Sequence, residues 1–319
     1  MNPQSEEDRA IAEFIQATRP RIAVVGTGGS GSNTLARMKE IGIYDVTFIA
    51  MNTDAQHLLR IPVEKKILLG KKKTRGMGAG SNPDVGQAAA EESESEIREI
   101  LKDTDLVFIT CGMGGGTGTG SASVIARAAK DAGALCVGVC TLPFTSEGSK
   151  RMRNALEGLE RLKKEANTTI AIPNDKLLYF VADLPLNQAF KAADMVLANA
   201  VKGISELVTK PGLVNLDFAD VRTILDKGGQ AMIGLGEVAR PDHLNRVVEA
   251  AEKAISSPLL DLDISQADRA LINITGGSDM TLGEAEAAVN AISTRMSKDA
   301  HVIWGVPLDD GLEKNTVRV

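Results

Sequence analysis

The chain has few cysteines, no surplus of positive charge, no apolar run long enough to span a bilayer and no internal repeat. Each shortage excludes something. A membrane-spanning helix needs about 20 consecutive apolar residues, and the N-terminal Met1-Asn2-Pro3-Gln4-Ser5-Glu6-Glu7-Asp8 has neither the basic nor the apolar region of a secretory signal. The expectation is a cytoplasmic protein with no direct membrane insertion. The formal charge of −6 argues against nucleic acid as a partner, because a phosphate backbone is bound by a basic excess. Cys111, Cys136 and Cys140 are an odd number, lie in or beside apolar strand-like runs and lack metal-ligand spacing. They read as small buried hydrophobes in a reducing compartment, and no metal site is predicted.

What is present describes an ordinary globular protein: 319 residues, 43% hydrophobic and 24% charged, long enough for two domains with a core in each. Between residue 21 and about residue 180, apolar strand-like runs alternate with helix-compatible ones. That alternation predicts an α/β domain with a mostly parallel sheet covered on both faces. A nucleotide would sit at the carboxyl ends of its strands. The organising stretch is Gly114-Gly115-Gly116-Thr117-Gly118-Thr119-Gly120, five glycines in seven residues, between the apolar run Leu106-Val107-Phe108-Ile109-Thr110 and a helix-compatible run from Ser121. Such a loop can aim several N–H groups at one anion, and the helix after it adds the positive end of its dipole. A polyphosphate is the ligand this chemistry suits. No Lys stands where the Walker-type loop requires one, so this is a phosphate loop of another kind.

An earlier loop competes with it. Gly26, Gly28 and Gly31 fit G-x-G-x-x-G after the strand-like Arg21-Ile22-Ala23-Val24-Val25, and Asp54 lies about where a dinucleotide-binding unit places its ribose acid. An NAD-dependent dehydrogenase is therefore an alternative, although it leaves the second glycine loop without a use. A third segment, Lys71-Lys72-Lys73-Thr74-Arg75-Gly76-Met77-Gly78-Ala79-Gly80, either closes over a terminal phosphate or is a solvated charged face. Glu147 and Arg151, four apart, favour an exposed ion pair on spacing alone. Phe190, Ala193, Leu197, Val201, Ile204 and Val208 recur at helical steps and predict a long helix buried between two masses.

Beyond Pro211-Gly212 the pattern predicts a smaller layer, with a strand over Ala231-Met232-Ile233-Gly234-Leu235, a helix from Pro241 to Ile255, a strand near residues 270–274, a helix from Thr281 and a last strand from His301. At its start stand Asp217 and Asp220. Paired carboxylates can orient a water, take its proton or hold a cation; they can equally start the helix near Val221, and spacing alone favours that structural role. A helix of some twenty residues is about 30 Å long. If it begins beside the nucleotide, these acids cannot touch the phosphates of their own subunit, but they can touch those of a neighbour stacked head to tail.

Six ordered motifs resemble the FtsZ family of the tubulin superfamily: Gly26-Thr27-Gly28-Gly29-Ser30-Gly31, Asn52-Thr53-Asp54-Ala55-Gln56, residues 114–120, Pro143-Phe144 with Glu147-Gly148 and Arg151-Met152, residues 190–194, and Asn215-Leu216-Asp217-Phe218-Ala219-Asp220-Val221. Met77-Gly78-Ala79-Gly80-Ser81-Asn82-Pro83 is most similar to archaeal members. The resemblance implies a polar extension (1–20), a Rossmann-like parallel-sheet GTPase domain (21–186), a long central helix (187–210) and a second, smaller α/β domain (211–319) opening on the acidic loop. It implies GTP and GDP, with Mg²⁺. Gly28, Gly29, Ser30, Gly31 and Ser32, with Gly116, Thr117, Gly118, Thr119 and Gly120, would hold phosphates, and Gly78, Ala79 and Gly80 would lie near the γ-phosphate. The family often carries Asn where this chain has Ser32. Glu147 and Arg151 match positions that contact sugar and phosphates, Phe190 one that packs on guanine, and Asp194 an acceptor for guanine N–H groups, with Asn33 a further candidate for the base. Asp217 and Asp220 match the acids that a neighbouring subunit inserts. The implied partners are other copies in a head-to-tail homopolymer and, through a tail beyond Thr316-Val317-Arg318-Val319, membrane-anchoring and division proteins at the division site. The alternative within the same fold is a nucleotide-binding structural homologue without turnover.

Overall fold

The computed structural model describes residues 19–43, 45–181, 186–210, 212–240, 243–260, 263–309 and 311–319, with Ser5 and Phe14. Most of the expected extension over 1–20 lies outside these residues. The first part of the chain runs β1 (Ile22–Thr27), α1 (Gly28–Glu40), β2 (Val46–Asn52), α2 (Ala55–Arg60), β3 (Lys65–Leu68), α3 (Lys71–Thr74), α4 (Pro83–Glu92), α5 (Glu94–Leu101), β4 (Leu106–Gly112), α6 (Thr117–Asp131), β5 (Leu135–Leu142), α7 (Ser149–Glu165), β6 (Thr168–Pro173) and α8 (Asn174–Val181). All six residues of β1 are buried, as are the first six of β4 and the first seven of β5. Strands apolar on both faces need helices on both faces, and that selects the parallel, crossover-connected sheet. The order is β3-β2-β1-β4-β5-β6, every pair parallel.

One face of the sheet packs Val25, Ile109, Cys111 and Cys140 against Ala89, Ile97, Ile125 and Leu159 of α4 to α7. The other packs Val24, Phe108, Val137 and Val139 against Leu35 and Met38 of α1 and against Leu197, Ala200 and Val201 of α9 (Leu186–Thr209). The three thiols are free and fully buried, and burial pushes those of Cys136 and Cys140 up to about 12. Helix α9 has 24 residues; it is the long apolar helix of the sequence pattern, and its far half also meets Leu216, Leu271 and Ile303 of the second part. A rod of that length spans about 36 Å.

The second part contains β7 (Gly212–Val214), α10 (Phe218–Leu225), β8 (Gly229–Ala231), β9 (Glu237–Ala239), α11 (His243–Ile255), β10 (Arg269–Asn273), β11 (Thr275–Gly276), α12 (Leu282–Ser293), β12 (His301–Pro307) and β13 (Thr316–Arg318). Two three-stranded sheets, β10-β12-β7 and β11-β13-β9, share this region. Strand β8 does not join them. It pairs with β6 as the seventh strand of the first sheet. The strand expected over 231–235 is therefore shorter and earlier, because Gly234 and Gly236 lie flush against the Ala254 and Ala250 carbonyls of α11 and carry the chain off the sheet. The helix expected from Pro241 is described only from His243.

Close packing between α4 and the loop before α6 fixes where that loop sits. A Cβ on Gly86 would overlap the Gly116 carbonyl and touch Thr117 Cα at 3.1 Å. In an open helix, Gly→Ala gains about 1 kcal/mol; here overpacking against backbone reverses the sign. Gly86→Ala is expected to lower stability by about 2 kcal/mol, read as a shifted midpoint in a denaturant titration, and a rise in midpoint would mean α4 can move away.

Candidate functional site

In a doubly wound sheet the crevice lies where the strand order reverses. Here that point is between β1 and β4, and both strands deliver a helix there at once. Helix α1 starts at Gly28 and α6 at Thr117, neither start has a side-chain cap, and neither first turn carries an acid. Three helices elsewhere are capped, with Asp54 accepting from His57 N–H, Asn82 from Asp84 N–H and Thr281 from Glu284 N–H. Helices α3, α5 and α7 also lack a side-chain cap, and what distinguishes α1 and α6 is that their two bare starts meet. Each helix start leaves four N–H groups without helical partners, so two bare starts side by side form an anion site.

The two loops touch. Gly28 has φ +72°, and a Cβ there would lie 2.7 Å from Gly118 N. Gly29, Ser30 and Asn33 are exposed along the rim, whereas Gly28, Gly31 and Ser32 are buried beneath it. Ser32, expected among the phosphate holders, is 0% exposed, and its hydroxyl has no hydrogen-bond partner among the described residues. It turns inward because it shares α1's sheet-facing side with Leu35.

In the second loop Gly115 and Thr117 are half-buried, and Gly116, Gly118, Thr119 and Gly120 are buried. Hydroxyls hold its shape: Thr119 Oγ1 accepts from Gly114 N–H at 2.8 Å, Thr117 Oγ1 lies 2.6 Å from Thr53 Oγ1, and Thr27 Oγ1 lies 2.6 Å from Ser121 Oγ. The third segment abuts it, since a Cβ on Gly116 would be 2.8 Å from Ala79 Cβ. Gly78 and Gly80 flank the buried Ala79, both at positive φ and with open space where a side chain would be.

Glu147 and Arg151 form the ion pair that their spacing suggests, at 3.0 Å. The other Glu147 oxygen accepts from Phe144 N–H at 2.8 Å. Arg151 leans over the second loop, with its Cγ 2.7 Å from the position a Cβ on Gly114 would take.

At the opposite lip, Asp194 of α9 accepts from Thr34 Oγ1 at 2.9 Å. Burial pushes its carboxyl up to about 6, against the pull of the Thr34 bond and the Arg37 charge. Phe190 lies in α9 one turn earlier, with its side chain outside the described residues.

Asp217 and Asp220 are elsewhere. They sit at the start of α10, beyond the far end of α9, where Asp217 N–H donates to Asp220 Oδ2 at 3.3 Å. From Asp194 to Thr209 is fifteen residues of helix, about 22 Å. The phosphate loops and the acid pair of one subunit thus lie at opposite ends of a rod, and the structure does not bring them together.

Residues 21–182 match the Tubulin/FtsZ family GTPase domain, and residues 229–319 match the FtsZ family C-terminal domain. The chain belongs to the FtsZ family. It is 54% identical over 315 residues to cell division protein FtsZ 1 of Methanocaldococcus jannaschii, which covers 99% of this chain and 85% of that protein. To cell division protein FtsZ 1 of Thermococcus kodakarensis it is 55% identical over 311 residues, 98% of this chain and 82% of the other. The solved structure of an empty M. jannaschii FtsZ dimer superposes with a TM-score of 0.93 at 53% identity, over 98% of this chain and 90% of that one. The GTPγS-bound CetZ2 protofilament of Haloferax volcanii shares the fold at 24% identity, with a TM-score of 0.80 over 93% and 91% of the two chains.

Membership of the FtsZ family makes this a polymerising cell-division protein with a GTPase domain. It also sets aside the dehydrogenase. Asp54, the would-be ribose acid, is occupied as the cap of α2, with its Oδ1 3.0 Å from His57 N. Sequence reasoning missed two contacts beside the candidate site. Thr34 meets Asp194 across 160 positions of sequence, and His57 bridges Asn52 and Asn33, each at 3.2 Å; neither carries a motif. Gly115, half-buried with open space at its Cβ position, lies within the signature legible in the sequence.

Proposed function

We propose that this chain binds GTP between the glycine loops and hydrolyses it when a second copy, stacked head to tail, presents Asp217 and Asp220 to the terminal phosphate. The observation that carries the reading is the separation of two uncapped helix starts from the acid pair by the length of α9. A monomer holds both halves of a site but cannot close them on each other. Gly29, Ser30, Gly115 and Thr117 face the phosphates, residues 78–80 cover the terminal one, Glu147 and Arg151 take the sugar side, and Phe190, Asn33 and Asp194 the guanine. The incoming acids orient and polarise a water for in-line attack, and the loop N–H groups balance the charge on the departing phosphate.

Among the described residues no three His, Cys, Asp or Glu side chains converge, so these residues offer Mg²⁺ no cage of their own. The nucleotide phosphates, with the Ser30 and Thr117 hydroxyls at the rim, suit an ion that keeps most of its waters. Bound there, Mg²⁺ supplies neutralisation of phosphate charge. Polymer formation completes the site, and hydrolysis weakens the contact that completed it. The filament works in the cytoplasm at the division site, held by membrane-anchoring division proteins; among the described residues no helix is long and apolar enough to cross a membrane.

The test is phosphate release from GTP across a range of protein concentrations. Turnover per subunit is expected to rise steeply above a threshold. A flat dependence removes the shared site, and GTP binding without turnover at any concentration points to a passive scaffold.

A further inference from the structure

We propose that Thr34 is a positioning residue for base recognition: its hydroxyl clamps one oxygen of Asp194 so that the other edge of the carboxylate is turned toward the N–H groups of guanine. The inference rests on the reading of Asp194 as the guanine acceptor and assigns the group that aims it.

Thr34 is 0% exposed, so its hydroxyl cannot turn to water. Its Oγ1 lies 2.9 Å from Asp194 Oδ1 and 3.1 Å from the Ser30 carbonyl oxygen one turn back. The hydroxyl proton serves the two acceptors from one place. Ser30 lies on the rim of the first phosphate loop, so a single side chain ties the loop that meets the phosphates to the carboxylate that meets the base. Asp194 Oδ2 has no hydrogen bond among the described residues and is free to accept.

Guanine presents two donors on one edge, the ring N1–H and the exocyclic amine. A carboxylate fixed in rotation can meet both, and one free to rotate meets them for part of the time. Inosine has lost the amine, and xanthine places a carbonyl where the amine was, against the negative charge. Discrimination among these bases therefore reads the aim of the carboxylate, not only its presence. Charge reaches Asp194 from α1 as well, through Arg37, which is itself paired with Glu40.

The experiment uses the full chain and two substitutions, Thr34→Val, which keeps the shape, and Thr34→Ser, which keeps the hydroxyl. Equilibrium binding of GTP, ITP and XTP is measured between pH 5.5 and 8. The native chain is expected to prefer GTP to ITP by about tenfold or more, the worth of one hydrogen bond to a charged group. In Thr34→Val, GTP binding weakens about 3- to 10-fold, the GTP-to-ITP ratio narrows, and Thr34→Ser restores both. Because the Thr34 bond holds the Asp194 carboxyl down, the acid-side fall in GTP affinity also moves to higher pH in the Val variant. Equal weakening for all three nucleotides, or an unmoved pH profile, would show that Thr34 only packs α1 against α9 and would overturn the proposal. If the native chain itself does not separate GTP from ITP, the assignment of Asp194 falls, and the proposal falls with it.

Discussion

Asp220→Ala is expected to bind GTP as tightly as the native chain and to release phosphate at least ~100-fold more slowly, the lower end of what a positioned acid or base contributes. The expectation follows from placement. The acid is separated from its own nucleotide loops by α9, so its removal leaves those loops untouched. Its local cost is small: Asp220 Oδ2 accepts Asp217 N–H at the start of α10, and loss of such a terminal bond lowers stability by about 1 kcal/mol.

Mixing sharpens the test. Subunits carrying Asp220→Ala retain a nucleotide face, and subunits disabled in GTP binding retain acids. Each population is inactive alone, and a mixture is expected to recover turnover, because the second kind can complete the site of the first. A mixture that stays inactive would place the acids in some other role, and loss of GTP binding in Asp220→Ala alone would show that the loop reaches its own nucleotide.

Asp194→Asn is expected to weaken GTP by about 100-fold, since it replaces an ionised acceptor of two N–H groups by an amide that can accept only one well. XTP should gain, because the amide N–H₂ can donate to the xanthine carbonyl. The same change is expected to stabilise the protein without nucleotide. Burial raises the Asp194 carboxyl from 3.8 to about 6, so between those values the folded chain holds a proton that the unfolded chain has lost. Stability therefore falls as pH rises through that window and stays lowered above it. The full shift corresponds to at most about 3 kcal/mol, and the Asn variant does not carry the cost. Its Oδ1 can still accept from Thr34. Thermal unfolding without nucleotide at pH 5 and pH 7.5 checks the sign: the variant's advantage should be present at pH 7.5 and shrink at pH 5. An advantage of equal size at both would mean that the carboxylate charge is not what strains the site.

The first sheet was legible because its strands are buried on both faces and so read as unbroken apolar runs, as in β1 and β4. The second part was legible only in its longer elements. Strands β7, β9 and β13 have three residues each and β11 two, too few to display a period of two. The return of β8 to the first sheet depends on the close approach of Gly228 to Thr168 and on the bond from Gly229 N–H to the Asn167 carbonyl, which no local pattern records. At the site, glycine spacing located the loops but not which members face outward: Gly31 and Ser32 are buried, while Ser30 and Asn33 on either side of them are exposed. That division follows from the rotation of α1 about its own axis, which is set by Leu35 and Met38 against the sheet. The clamp of Thr34 on Asp194 joins α1 to α9, and a contact between helices so distant in sequence exists only once the sheet has formed.

Helix α9 also sets which insertions and deletions the chain can survive. Adding one residue to an α-helix advances its end by about 1.5 Å and rotates everything beyond it by about 100°. With Asp194 held at one end by Thr34 and the acid loop carried at the other, a single inserted residue between residues 195 and 209 would swing Asp217 and Asp220 around the axis, and three or four would restore the heading but displace them by a turn. The loops on the surface have no such phase to keep. Length variation among chains of this architecture should therefore gather in those loops and leave the interval from Asp194 to Asp217 constant.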